Sequence, residues 1–385
     1  MCGTFVITNL IRWLFVGLIL NPVLGKGAPV DDEWQRPLRL PILDDDVSFR
    51  VPVKMFGSVH YFLVDTGASA TALDSRYRSR LGDPVEEIQA HTFYRCPELF
   101  FDQTPAGLVK IFCVDLRMFE LITGEQCDGV LGMDFLNNHV VEMDFERQLF
   151  SVGKEVSQDI KETAWGIPLT LTNKRHFTAS ALLNSRVRLQ LMIDSGDSAT
   201  ISLNNADWDR VFAPGNKPPT QKSLIAGLGT NVTDSQVARI QTLEIQSNKY
   251  LNLVCLLSPR TNSPSSLGLP FLKRHLVTFD FPNQMLYLRP GKDFRIEEEY
   301  DMSGLHLLRQ NGNTMVHSVD EGSPAALAGI QAGDLITFIN GKEPACMKMK
   351  DLRSILKAKA GEKVCIKIKR GHKALKVEFV LRRMV

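Results

Sequence analysis

Two stretches of this sequence repeat each other at matched intervals, and a repeated unit has to bury its apolar face against its copy. From Gly132, "GMDFLNNHVVEMDFERQLFSV" aligns without a gap to "GLPFLKRHLVTFDFPNQMLYL" from Gly268. Eight positions coincide: Gly132/Gly268, Phe135/Phe271, Leu136/Leu272, His139/His275, Val141/Val277, Asp144/Asp280, Phe145/Phe281 and Gln148/Gln284. Upstream, "FLVDTGASATAL" at 62–73 is echoed by "LMIDSGDSATIS" at 191–202. Both have an apolar triplet, Asp, Thr or Ser, Gly, one variable residue and Ser-Ala-Thr. The motif aspartate precedes the aligned glycine by 67 residues in the first copy and 74 in the second. Two homologous units therefore follow one another, over 40–154 and 166–291.

Each unit reads as mostly strand. "SFRVPVKMFGSVHYFLVD" and "HFTASALLNSRVRLQLMID" alternate apolar and polar residues and then become continuously apolar, the pattern of a hairpin whose second strand ends at the aspartate. "KIFCVDLRMFELI" and "ARIQTLEIQSNKYLNLVCLL" predict further strand pairs. Short helices are expected at "MDFLNNH" and "PFLKRH", and the polar stretch "GKEVSQDIKETAWG" reads as a linker between copies.

A duplicated β unit can pack on its copy about an approximate twofold axis, as identical subunits do. Loops near that axis then face each other, which would bring Asp65 and Asp194 together. Two carboxylates sharing a buried site do not both ionise readily, so such a pair holds one proton; the aspartic proteases are the standard illustration. One carboxylate can take a proton from water while the other gives one to a carbonyl oxygen. Gly67 and Gly196 would let the backbone turn tightly, and the Thr66 and Ser195 hydroxyls would stiffen the loops.

With these residues in place, each copy resembles a retropepsin-like unit of the aspartic protease clan. The resemblance rests on apolar-Asp-Thr/Ser-Gly followed by "GVLGMDFL" or "SSLGLPFL", and it spans roughly residues 40–290. It implies a mainly β, two-lobed acid-protease fold, as in pepsins, with Asp65 and Asp194 holding the attacking water as an aspartic endopeptidase. It also implies that Thr66 and Ser195 bond across the lobe interface and that Gly132 and Gly268 pack behind the catalytic loops. No metal and no organic cofactor is implied.

Two departures from the family pattern stand out. Asp197 follows the second motif glycine, where the first copy keeps Ala68. It either points inward, raising the pair's proton affinity or holding a basic group, or it points to solvent or caps a turn. "LIAGLGTNV" at 224–232 looks like a flap, whereas its counterpart in the first copy, "AHTFYRCPELFF", has no glycine. Tyr94 there reads as a packed strand residue, a flap tyrosine as in pepsins being the other reading. These departures keep a second function open, a pseudoprotease that binds peptides without cutting them. His139 and His275 are expected to pack or cap their short helices, and Asn231-Val-Thr is a glycosylation sequon by pattern.

After the charged stretch "GKDFRIEEEYDM" the composition changes. Residues 301–385 hold 15 Lys and Arg against 8 Asp and Glu, +7 within a chain of net charge +2, which leaves −5 elsewhere. A solvated charged surface is the ordinary reading of such a balance; acidic partners or an anionic membrane face are the other. The tail resembles a PDZ domain, above all in "GSPAALAGIQAGDLITFINGK". The family's carboxylate-binding loop falls on Gly304, Leu305, His306 and Leu307, which would hold the C-terminus or an internal segment of a polypeptide as an added strand beside the helix. His306 and Leu307 replace a glycine and an aromatic of that loop.

The first 28 residues contain Arg12, the apolar run "WLFVGLIL" and small residues at "NPVLGKGAP", which read as an export signal, or as an uncleaved anchor. The chain is accordingly expected to be secreted or periplasmic, with no membrane span once the signal is removed. It is expected to act as a monomer that is an internal pseudo-dimer, on polypeptides and not on nucleic acid. Of seven cysteines none has metal-ligand spacing. Cys346 and Cys365 are one conceivable disulfide, and buried thiols are the other reading.

Overall fold

The alternating segment of the first unit forms the hairpin Phe49–Met55 and Ser58–Val64, turned at Phe56 and Gly57, which both take positive φ (52° and 80°) as a two-residue hairpin of this hand requires. The second unit builds the corresponding hairpin from Phe177–Leu183 and Val187–Ile193, connected by Asn184, Ser185 and Arg186, with Asn184 and Ser185 at φ 50° and 51°. In both, the second strand runs directly into the motif aspartate. The structure, a computed structural model, describes residues 37–88, 91–172, 176–212, 218–226, 232–258 and 263–385. The expected signal, Gly227 and Gly229 of the flap, and the sequon Asn231 lie outside these.

Each unit makes its own sheet, and the two sheets share one device. In the first, Gly129–Leu131 runs parallel to Ser58–Val64 and antiparallel to Ala72–Asp74. In the second, Ser266–Leu267 does the same with Val187–Ile193 and Ile201–Asn204. The motif loop is thereby held beside its partner glycine: Asp65 N–H donates to the Leu131 carbonyl at 3.1 Å and Asp194 N–H to that of Leu267 at 2.9 Å.

A third sheet joins the lobes. Its order is Leu38–Pro41, Leu149–Gly153, Val140–Asp144, His275–Asp280, Met285–Pro290, Trp165–Pro168, three strands from each unit. Across its centre Glu142 faces Thr278, flanked by Val141 opposite Phe279 and Met143 opposite Val277. Glu142 and Thr278 occupy the same place in the repeat alignment, so the pseudo-twofold axis passes between them. Phe49, Phe62, Phe101, Phe135, Phe150, Phe271 and Phe279 are fully buried, in a core continuous across both lobes. The protein is mainly β, with two lobes of like topology and a small α+β tail.

Three sequence expectations are corrected. "RMFELI" is a helix, Arg117–Thr123, not a strand; Met, Phe, Glu and Leu accept helical geometry, and Gly124 closes it at φ 70° with its N–H on the Glu120 carbonyl at 2.8 Å. The presumed linker is ordered: Ser157 caps Gln158–Thr163, and Trp165–Pro168 is the outer strand of the shared sheet. The six described cysteines are free, so Cys346 and Cys365 form no bridge.

The tail has five strands in sequence order, Leu305–Gln310, Asn313–Val319, Leu335–Ile339, Lys363–Arg370 and Lys373–Val380, all antiparallel. Its helices are Pro324–Leu327, capped by Ser323, and Met349–Leu356, which buries Met349, Leu352 and Leu356 in a core separate from that of the lobes. Among the described residues no helix is long and apolar enough to cross a membrane.

Candidate active site

Each motif loop leaves a buried strand and is pinned by the other lobe. Thr66 Oγ1 donates to the Ile193 carbonyl at 2.7 Å and accepts Ser195 N–H at 2.9 Å. Reciprocally, Ser195 Oγ donates to the Val64 carbonyl at 2.8 Å and accepts Thr66 N–H at 3.0 Å. Thr66 and Ser195 are both buried, so the four bonds are shielded from water and fix the loops relative to each other.

That lock sets the carboxyls face to face. Asp65 Oδ1 accepts Gly67 N–H at 2.8 Å, and Asp194 Oδ1 accepts Gly196 N–H at 2.9 Å. The Asp65 and Asp194 carboxyls also hydrogen-bond each other. A Cβ on Gly67 would lie 2.5 Å from the Asp194 carboxyl, and one on Gly196 would collide with that of Asp65, so only glycine fits at either position. Burial raises the pKa of Asp65, opposed by the hydrogen bond from Asp194 and those from the Gly67 and Ala68 amides. Asp194 is held well above the usual carboxylate range, by burial first and then by the charges of Asp65 and Asp197. Burial and the proximity of the two charges thus favour one proton shared by the pair.

Asp197 does not reach into the cleft. Its Oδ1 accepts Ala199 N–H at 2.9 Å and its Oδ2 accepts the Ser266 hydroxyl at 2.7 Å. In the first lobe Ala68 and Val130 hold the equivalent places and share an apolar cluster. The second lobe has therefore exchanged an apolar pair for a hydrogen-bonded one, and the turn-capping reading of Asp197 holds. Its charge still acts on both members of the pair.

Behind each loop stands a further carboxylate that the motifs did not reveal. Thr71 donates its hydroxyl to Asp134 Oδ1 at 2.6 Å, and its N–H to the same carboxylate at 2.9 Å. The second lobe has Pro270 where Asp134 would fall. There Thr200, the counterpart of Thr71, donates to Glu298, which also accepts Val254 N–H at 3.0 Å and lies near Arg274. Glu298 comes from the stretch that leads to the tail. Asp134 could have been suspected from its place two residues after Gly132; Glu298 lies outside the repeat, among three successive glutamates, and nothing local distinguishes it.

Gly132 and Gly268 pack as expected. A Cβ on Gly132 would lie 2.6 Å from the Ala70 backbone, and one on Gly268 would lie 2.6 Å from the Asp197 carbonyl oxygen. His139 and His275 each approach the carbonyl four residues earlier, at 2.9 and 3.1 Å, and take no part in the pair. Two hairpins hold equivalent topological places: Gln221–Ala226 with Val232–Ile245, and Pro84–Ile88 with His91–Arg95. The first-lobe counterpart thus starts earlier in the chain than "AHTFYRCPELFF", and Tyr94 is a packed strand residue opposite Ile111.

In the tail, Gly304 takes φ 76°, and its N–H donates to Asp301 Oδ1 at 2.6 Å. Leu305 N–H donates to Ser303 Oγ at 3.1 Å. His306 Nε2 lies 2.8 Å from Asp320 Oδ1, whose other oxygen accepts Gln221 of the second-lobe hairpin at 3.3 Å. Leu307 packs against the tail core. Burial pushes the Asp301 carboxyl up to about 6, against the hydrogen bonds from Gly304 and Ser303. The loop residues are therefore gathered at one place, next to the second lobe.

Residues 315–370 match the family model described as PDZ domain. Similar solved structures include a retropepsin-like aspartic protease from Rickettsia conorii, 20% identical, covering 32% of this chain and 91% of that one at a TM-score of 0.26. No curated protein matches the chain.

Proposed function

We propose that the protein is an exported aspartic endopeptidase in which Asp65 and Asp194 activate water against a peptide carbonyl, and in which the PDZ domain positions polypeptide substrates. The observation that carries this reading is the buried, hydrogen-bonded carboxyl pair, supplied by equivalent loops. The ionised member accepts a proton from water as the oxygen attacks, and the protonated member donates to the carbonyl oxygen, giving a tetrahedral intermediate without a covalent enzyme adduct. The lock through Thr66 and Ser195 keeps the donors in place, so little reorganisation accompanies the step. Asp65→Asn and Asp194→Asn should each lower peptide cleavage by on the order of 10²–10⁴-fold while the circular dichroism spectrum stays unchanged. Cleavage at the native rate in either variant would sink the dyad.

A peptide-binding pseudoprotease is the second reading, favoured by Asp197, whose charge beside the pair opposes ionisation of both members. Incubation with a mixed peptide library, with and without a statine-type inhibitor, separates the two. Inhibitor-sensitive products support the peptidase; retention of peptides with no products supports the binder.

A further inference from the structure

A PDZ domain takes its ligand as a strand added to a sheet edge beside a helix. Here that edge is Leu305–Gln310, the outermost strand of the tail sheet, and the helix is Met349–Leu356. The space between them faces the first lobe. The first-lobe helix Arg117–Thr123 packs against both elements.

The contacts are specific. Gly124, which ends that helix, sits where a Cβ would lie 3.3 Å from Arg309 Cγ on the edge strand and 3.3 Å from Met349 Cγ on the tail helix. Arg353 follows Met349 by one helical turn and so shares its face. It donates to the Ile122 carbonyl at 3.1 Å, one of the carbonyls a helix end leaves unpaired, and to the Asp45 carbonyl at 2.7 Å. Lys350 donates to the Asp44 carbonyl at 3.2 Å, and Lys357 pairs with Asp46 at 3.0 Å. Three basic residues of one tail segment thus grip a run of three first-lobe aspartates, which gives the tail's excess positive charge an internal partner.

We propose that the ligand of the PDZ groove is the chain's own first lobe: the last turn of Arg117–Thr123, with Gly124, occupies the place of an added peptide strand, and an outside peptide binds only by displacing it. The same helix reaches the apolar cluster that flanks the first motif loop. Phe119 packs in the cluster that contains Leu63, Ala68 and Ala72, on either side of Asp65. Occupancy of the groove by a peptide would therefore be felt at the first catalytic loop. The proposal does not depend on whether the pair cleaves peptides.

The test uses the full chain and two variants. Arg353→Met removes the tail's hydrogen bonds to Ile122 and Asp45 with little change of volume. Gly124→Asn keeps access to the left-handed backbone, which Asn tolerates, and adds a side chain into the groove. Amide hydrogen exchange should show 117–124 and 305–310 opening about tenfold or more faster in both variants, with the rest of the lobes and the tail core unchanged. A fluorescent pool of short peptides with free carboxyl termini should bind both variants about tenfold or more tighter than the native chain, because a groove closed most of the time weakens apparent affinity in proportion. Equal exchange in all three proteins would overturn the occupancy. Equal affinities, or no peptide binding by any of them, would overturn the displacement.

Discussion

At the scale of single residues the protein departs from symmetry at Asp197. Its charge raises the proton affinity of both Asp65 and Asp194, and the hydrogen bonds from Ala199 and Ser266 keep it in place. Asp197→Asn should therefore move the alkaline limb of the pH–rate profile to lower pH; a limb that stays put would show that this charge is not felt by the reacting pair. The same raised affinity has a consequence for stability. Asp194 binds its proton more tightly folded than unfolded, so its contribution is complete below the ordinary value of 3.8 and is lost as pH rises through the raised one. Asp194→Asn should accordingly gain stability over the native chain at mildly alkaline pH and lose that advantage in acid, as read from urea midpoints. Asp65, Thr66, Gly67 and their counterparts were legible in the sequence because their spacing recurs. The role of Asp197 was not, because it depends on Ser266, far away in the chain and unremarkable by itself.

Among elements, the informative ones are those that the repeat does not contain. Glu298 lies on an irregular stretch yet supports Thr200 as Asp134 supports Thr71. Both its oxygens accept hydrogen bonds, and Glu298→Gln would turn an amide nitrogen toward one of two donors. The expected loss is about 1–3 kcal/mol of stability, measured by chemical denaturation, with a fall in cleavage rate where Asp134's side of the cleft is untouched. A rate unchanged at unchanged stability would remove Glu298 from the support of the loop. The helix Arg117–Thr123 was misread as strand because its apolar residues suit either form, and its exposed face is covered by the tail, a contact that local periodicity does not report. Helices Met133–Leu136 and Leu269–Leu272 were legible from the gapless alignment itself.

For the whole molecule, the shared six-stranded sheet joins the two lobes through paired strands and predicts that they unfold together. Phe279 is fully buried at its centre and stacks on Phe281 with ring centroids 4.8 Å apart. Phe279→Ala should cost about 3–5 kcal/mol and lower a single thermal transition of the lobes. Two separated lobe transitions in calorimetry would contradict the shared sheet. The two-lobed plan and the separate tail could be read from repeat and composition; how the tail is mounted could not, since it rests on Gln221 with Asp320, Ser223 with Tyr300, and Arg353 with Ile122, pairs that lie 99, 77 and 231 residues apart. The axis between Glu142 and Thr278 has a last consequence. In a dimer of identical chains every substitution is made twice, so an Asp197 would stand behind both loops at once. Once the two halves are fused, a charge can be set behind one loop alone, so the halves can diverge in chemistry while they keep a common scaffold.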